Sequence, residues 1–259
     1  MTPSDGEWEA LITSEICARP APIIAQSFVR ALQSASRPVL LRCDDQDEYV
    51  VKGAQTRRMA TNDQIVGFLG NSLGAPVPPI TQVFVPPELI AAQPDLQHMA
   101  PDVGHGSRFI ADCADDRSVG HLDMPENSKR FLLLAVLYGW TQAGDLQFLY
   151  KIQDPFHVYS VDHGHFFPSG PDWNEASLLS ASVVQLDPTI AGCCSFDESL
   201  YERAVGQLES IDVVTLASAV ARPPENWGIT LPERIALAAY LAKRQDELIT
   251  LLKERIAGG

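Results

Sequence analysis

The chain has 259 residues, 46% hydrophobic and 20% charged, which supports a full core and excludes a disordered segment. Its 33 acidic and 19 basic residues leave a net charge of -14, and no basic stripe offsets that field, so general nucleic-acid binding is excluded. The longest apolar run, Phe131 to Tyr138, is far short of the roughly 20 residues that cross a bilayer.

Asp5, Glu7 and Glu9 occupy the N-terminus where a signal peptide carries positive charge, and a soluble, cytoplasmic protein without membrane association is expected. The five cysteines include the adjacent Cys193 and Cys194 but no C-x-x-C, the pattern of reduced thiols rather than of a disulfide frame or zinc site.

Along the chain, the apolar spacing of Ile23 to Leu32 predicts a short helix. Pro38 to Cys43 and Tyr49 to Lys52 predict a hairpin around the turn Asp44-Asp45-Gln46-Asp47. Thr61-Asn62-Asp63 starts a helix through Ile65, Val66, Leu69 and Leu73, closed by Gly74 and Pro76. Pro76, Pro78 and Pro79 exclude helix, and Thr81 to Val85 reads as a strand. Residues 86 to 106 read as loop, and Arg108 to Ala111 as one more strand.

A polar stretch from Asp112 to Asn127 then leads to a helix capped by Ser128. A second hairpin runs from Gln147 to Ile152 and from Phe156 to Val161, around Gln153-Asp154-Pro155. Beyond about residue 176 the chain reads helical. The last helix has the strongest start signal, the capping box Thr230-Leu231-Pro232-Glu233, and runs to the terminal glycines.

Chemistry concentrates at two places. The second hairpin enters Asp162-His163-Gly164-His165, where a glycine beside an acid turns the chain with a carboxylate free to face a cleft. The alternatives are an ordinary turn with two partly buried histidines, or a hydrolase-type metal cluster of His157, Asp162, His163 and His165. Lys52, closing an apolar strand, faces either solvent or, at a cost that needs an anion to offset it, the interior. Asp63 lies eleven residues downstream and offers that countercharge. Ser34 and Ser36 offer small side chains and backbone N–H groups for an anion nest. Trp173 and Trp227 read as packing anchors, Lys243 to Arg255 as a solvated helix face, and His98, His105 and His121 as loop residues without partners.

The order of these pieces resembles the HipA-like kinases. The matching stretches are Ser36 to Leu40, Tyr49 to Lys52, Asn62-Asp63 ahead of Leu73 to Pro78, Val161 to Gly164, and Pro224 to Gly228. The resemblance implies an α+β, two-lobed kinase-like fold, with a small β-rich lobe over 1–112 and a mainly helical lobe over 113–259. It further implies ATP-dependent γ-phosphoryl transfer to a hydroxyl, serine or threonine of a protein substrate. By the same resemblance Lys52 would hold the ATP phosphates, Asp162 would bind Mg²⁺, and the backbone near Ile110 to Cys113 would meet the adenine. Asp63 stands where such kinases carry a longer glutamate.

The catalytic loop departs from the family pattern. One threading of Gly139 to Gln147 puts Gln142 at the base position and Gln147 at the metal position; an amide accepts no proton, although its carbonyl still serves a metal. The other makes Asp145, the only carboxylate of the segment, the base. The departures at Asp63, Gln142 and Gln147 make a nucleotide-binding pseudokinase scaffold the first rival, and the histidine-rich metal hydrolase the second.

Overall fold

A computed structural model describes residues 2–258, with the backbone alone at Pro125; Gly259, where the last helix was expected to end, lies outside them. The chain opens with α1 (Asp5–Cys17) and then enters β1 (Ile23–Ala31), β2 (Val39–Cys43) and β3 (Glu48–Lys52). α2 (Arg58–Leu73), β4 (Ile80–Phe84), α3 (Pro87–Ala92) and β5 (Val103–Arg108) complete the first part. The five strands close into a barrel in the order β1-β2-β3-β5-β4, with β1 meeting β4 in parallel at Ile23 and Ile24.

The second part begins with β6 (Cys113–Asp116), α4 (Pro125–Thr141), β7 (Phe148–Lys151) and β8 (Val158–Ser160), of which β6, β7 and β8 form one antiparallel sheet. α5 (Glu175–Leu179), α6 (Pro188–Cys193), α7 (Glu198–Glu209), α8 (Val213–Ala221) and α9 (Leu231–Gly258) follow. No single described helix is long and apolar enough to cross a membrane. All five cysteines are free.

Each part has its own core. Val39, Leu41, Tyr49, Val51 and Val83 fill the barrel, while Phe131, Leu134, Trp140, Leu237 and Leu248 belong to a larger helical core. α2 bridges them: its Ile65, Val66, Leu69 and Leu73 join the helical core although the helix follows directly on a barrel strand. It ends where Gly74 turns left-handed at φ 71°, the backbone geometry a glycine adopts without a Cβ clash. α1, within the stretch assigned to the first lobe, packs instead on α8 and α9, burying Trp8 and Ile12 in the helical core.

Several expectations are corrected. The helix expected over Ile23 to Leu32 is instead a strand, Ile23–Ala31: its apolar spacing fits either period, and pairing with β2 and β4 satisfies its backbone in the extended form. The strand expected at Arg108 to Ala111 lies earlier, in Val103–Arg108, where Gly104 and Gly106 hide it from a propensity reading. Asp115 and Asp116, expected in a polar loop, belong to β6 and pair with Leu149 and Phe148 of β7. The start of α4 is also earlier than Ser128, at Pro125.

Candidate active site

A cleft of about 500 Å³ lies between the barrel and the β6-β7-β8 sheet, within the range of small-ligand sites. Apolar side chains from both sides line it, among them Leu32, Val50, Val77, Ile80, Leu149 and Val161, and at one end it meets a buried charge cluster.

Lys52 sits at the center of that cluster. At the end of β3 it pairs in register with His105 of β5, and its side chain turns inward at 6% exposure. Its Nζ donates to Asp63 Oδ2 at 2.7 Å and to Asp162 Oδ1 at 2.6 Å, so one ammonium joins α2 to the turn after β8. Lys52, Asp162 and the Asp63 countercharge, all expected site residues, are thus brought together. Burial alone would lower the Lys52 pKa, but the adjacent Asp63 and Asp162 charges overrule it and hold the ammonium above its ordinary value. Burial would likewise raise the Asp63 carboxyl; the adjacent Lys52 ammonium, the largest opposing charge, holds it below the usual carboxylate range.

Asp63 is shared between the lysine and the loop that follows β8. Asp63 Oδ1 accepts the His163 backbone N–H at 2.6 Å. Asn62, fully buried beside it, donates to the carbonyls of Gly164 and Phe166 at 2.9 and 3.0 Å and accepts from Trp173 Nε1 at 2.9 Å. Trp173 is in turn covered by the Arg58 guanidinium, 4.2 Å from its ring. Two consecutive α2 residues therefore anchor the segment that follows Asp162. Trp173 and Trp227, at 1% and 0% exposure, are packing residues as expected.

His105 is a further correction. It is a buried strand residue, not a partnerless loop histidine, and its Nδ1 lies 2.8 Å from Gln64 Oε1. Burial pushes its pKa down to about 4, as it does that of His163. Arg244, expected on a solvated face, is also buried; it donates to the carbonyls of Trp140, Gly139 and Ser182.

The remaining expected site residues are more scattered. Ser34 lines the cleft, but Ser36 does not, and Ser34 Oγ already accepts the Ser36 N–H at 3.3 Å, so that N–H is no free nest donor. Gln147 lines the cleft, with its Nε2 turned to Asp115 at 3.4 Å. Asp145 does not line it: at 39% side-chain exposure it accepts its neighbor Leu146 N–H at 2.9 Å and stands 3.8 Å from Arg117. Gln142 closes α4 in a left-handed conformation and accepts from Ser182 Oγ, away from the cleft.

The histidine metal cluster does not assemble. His163 Nε2 is engaged by Ser160 Oγ at 2.8 Å, His165 is exposed, and among the described residues no three His, Cys, Asp or Glu side chains converge as a metal site. Among the oxygen donors lining the cleft, the Asp162 carboxylate and the Gln147 amide are hard ligands that suit a Mg²⁺ completed by phosphates and water rather than a closed transition-metal cage. Asp115, which no sequence signal marked as a site residue, joins them on the lining.

A β-barrel lobe, a helical lobe and a lysine-carboxylate bridge across the cleft between them define a protein kinase-like fold. Similarity to known proteins points the same way. Residues 24–145, just under half of the chain, match the family model of the HipA-like kinases, a stretch that holds Lys52, Asp63 and Asp145. A crystal structure of the Golgi casein kinase superposes with a TM-score of 0.51 at 13% identity, covering 99% of this chain and 78% of that one. The Golgi casein kinase with Mn/ADP bound gives a TM-score of 0.47 at 12% identity over the same shares. No curated protein matches the chain in sequence.

Proposed function

We propose that this chain is an ATP-dependent kinase that transfers the γ-phosphoryl group to a hydroxyl, serine or threonine of a protein. The observation that carries the reading is the Lys52 ammonium, buried and bound at 2.7 and 2.6 Å to carboxylates from two different elements. A buried lysine with two charge partners is held protonated and in one place, and its third N–H remains for a phosphate oxygen. The HipA-like match over 24–145 supports the same chemistry.

In this reading the nucleotide occupies the cleft, its base against the apolar walls and its phosphates beside Lys52. Asp162 and Gln147 would hold the Mg²⁺, which when bound neutralizes phosphate charge. The acceptor oxygen attacks the γ-phosphorus, the bond to the bridging β,γ-oxygen breaks, ADP leaves, and the hydroxyl proton passes to Asp145. Asp145 stands two residues before Gln147 at 39% side-chain exposure, outside the cleft lining.

The test is a thermal shift with ATP in the presence and absence of Mg²⁺, followed by transfer of labelled γ-phosphate to the protein itself and to serine-containing peptides. Mg²⁺-dependent stabilization together with transfer supports the kinase. No stabilization by ATP overturns it. Stabilization without transfer supports the second reading, a pseudokinase scaffold, which the placement of Asp145 outside the cleft lining favors.

A further inference from the structure

The turn into Asp162 is held by a buried hydrogen-bond chain that the reaction described above does not use. Tyr138, on α4, places its hydroxyl 2.5 Å from Ser160 Oγ, and Ser160 Oγ lies 2.8 Å from His163 Nε2. The three residues are 1%, 0% and 4% exposed. Among the described residues the Tyr138 hydroxyl has no other hydrogen-bond partner, and this sets the polarity of the chain. The phenol donates to Ser160, and Ser160 donates to His163 Nε2; the reverse order would bury a phenol proton without an acceptor.

His163 is thereby gripped twice, its ring from α4 through Ser160 and its backbone N–H from α2 through Asp63 Oδ1 at 2.6 Å. The residue before it, Asp162, has φ 59°, a left-handed conformation that a non-glycine residue keeps only where its surroundings over-determine it. On its other side Val161 N–H donates to the Gln147 carbonyl at 3.1 Å. The backbone of Asp162 is bracketed, while its carboxylate lies on the cleft.

We propose that the Tyr138–Ser160–His163 chain is a clamp that holds the backbone of Asp162 left-handed and so aims its carboxylate into the cleft, making Tyr138 and Ser160 positioning residues for the metal-nucleotide. The inference rests on the reading of Asp162 as the metal ligand. If the chain only satisfied polar atoms in the core, its loss would weaken the fold without singling out the metal-dependent part of nucleotide binding.

Tyr138→Phe removes one oxygen and keeps the ring packed on Phe148 and Phe166. Ser160→Ala breaks the same chain at its middle. For wild type and both variants, ATP affinity is measured by calorimetry with excess Mg²⁺ and with EDTA, and hydrogen exchange of the His163 amide is followed in the nucleotide-free protein. The clamp predicts about tenfold weaker binding with Mg²⁺, the equivalent of one hydrogen bond, little change with EDTA, and faster His163 exchange in either variant that folds. Equal weakening with and without Mg²⁺, or unchanged binding with unchanged His163 protection, overturns it. If wild type binds no Mg-ATP at all, the kinase reading falls; the exchange measurement then decides the clamp alone, and an unaltered His163 amide in Tyr138→Phe sinks it.

Discussion

Asp63 and His163 meet through a backbone hydrogen bond of 2.6 Å, side-chain oxygen to main-chain nitrogen, across 100 residues of sequence. Because the other oxygen of Asp63 holds Lys52, one carboxylate sets both the cation of the site and the path of the loop that carries Asp162. The consequences of that sharing are measurable.

Removing the cation leaves two carboxylates facing each other, one of them fully desolvated. Lys52→Met is expected to destabilize the protein by about 3–5 kcal/mol, the cost of stranding a buried charge. Adding Asp63→Asn should recover part of that loss, without restoring any thermal shift with Mg-ATP. Urea unfolding of the single and double variants tests this; a double variant no more stable than Lys52→Met contradicts it.

His105 is held neutral by burial, its pKa pushed down to about 4 from an ordinary value of 6.5. The unfolded chain therefore binds a proton that the folded protein refuses, so the stability contributed by a neutral His105 is present above 6.5 and is lost as pH falls towards 4. His105→Asn is expected to reduce the slope of unfolding free energy against pH by about one proton across that interval. Denaturation midpoints at several pH values measure it, and an unchanged slope would mean that His105 is already charged in the folded state.

Asn62 satisfies two loop carbonyls and the Trp173 indole from a fully buried position. Asn62→Ala leaves all three without that partner and is expected to cost about 2–4 kcal/mol, because buried groups that lose their only partner are more expensive than the bonds themselves. Protease cleavage between 164 and 173 should become faster. A loss below about 1 kcal/mol would show that water replaces the side chain.

Gly144 closes the loop before Asp145 against the carbonyl of His165: a Cβ at that position would lie 2.2 Å from the oxygen. Since the obstacle is backbone, Gly144→Ala must separate the two loops. Lower stability is expected, together with a drop in transfer, while Gly192→Ala, where a Cβ meets nothing within 4 Å, serves as the control.

Asp145→Asn is the sharpest test of the proton acceptor. The amide keeps the size of the side chain and abolishes its basicity, so kcat is expected to fall by about 10²-fold or more with nucleotide affinity unchanged. Transfer at the wild-type rate would remove Asp145 from the reaction.

Local chemistry makes several elements legible from residue order alone. The acidic turn between β2 and β3, the left-handed Gly74 after α2, and the Thr230–Glu233 capping box, whose side chains meet at 2.8 Å, each act over a few residues and need no tertiary partner. Lys52 and Asp162 stand out in the same way, because a lysine on an apolar strand and an acid two residues before a glycine at a strand end are costly or distinctive wherever they fall, and Asp63 is marked only as a countercharge eleven residues after Lys52.

Residue order therefore yields these short-range signals and the identity of the charged groups. Long-range packing alone made β1 extended, put the glycine-flanked His105 on a buried strand, and seated α1 on the helical part. It also decided which way Lys52 faces, and that the first expected catalytic carboxylate, Asp145, stands outside the cleft lining while Asp115 stands within it. The reason is one of range: a cap or turn is stabilized by atoms within four residues, whereas the direction of a strand side chain and the closing of a cleft depend on partners such as Asp162, 110 residues away from Lys52.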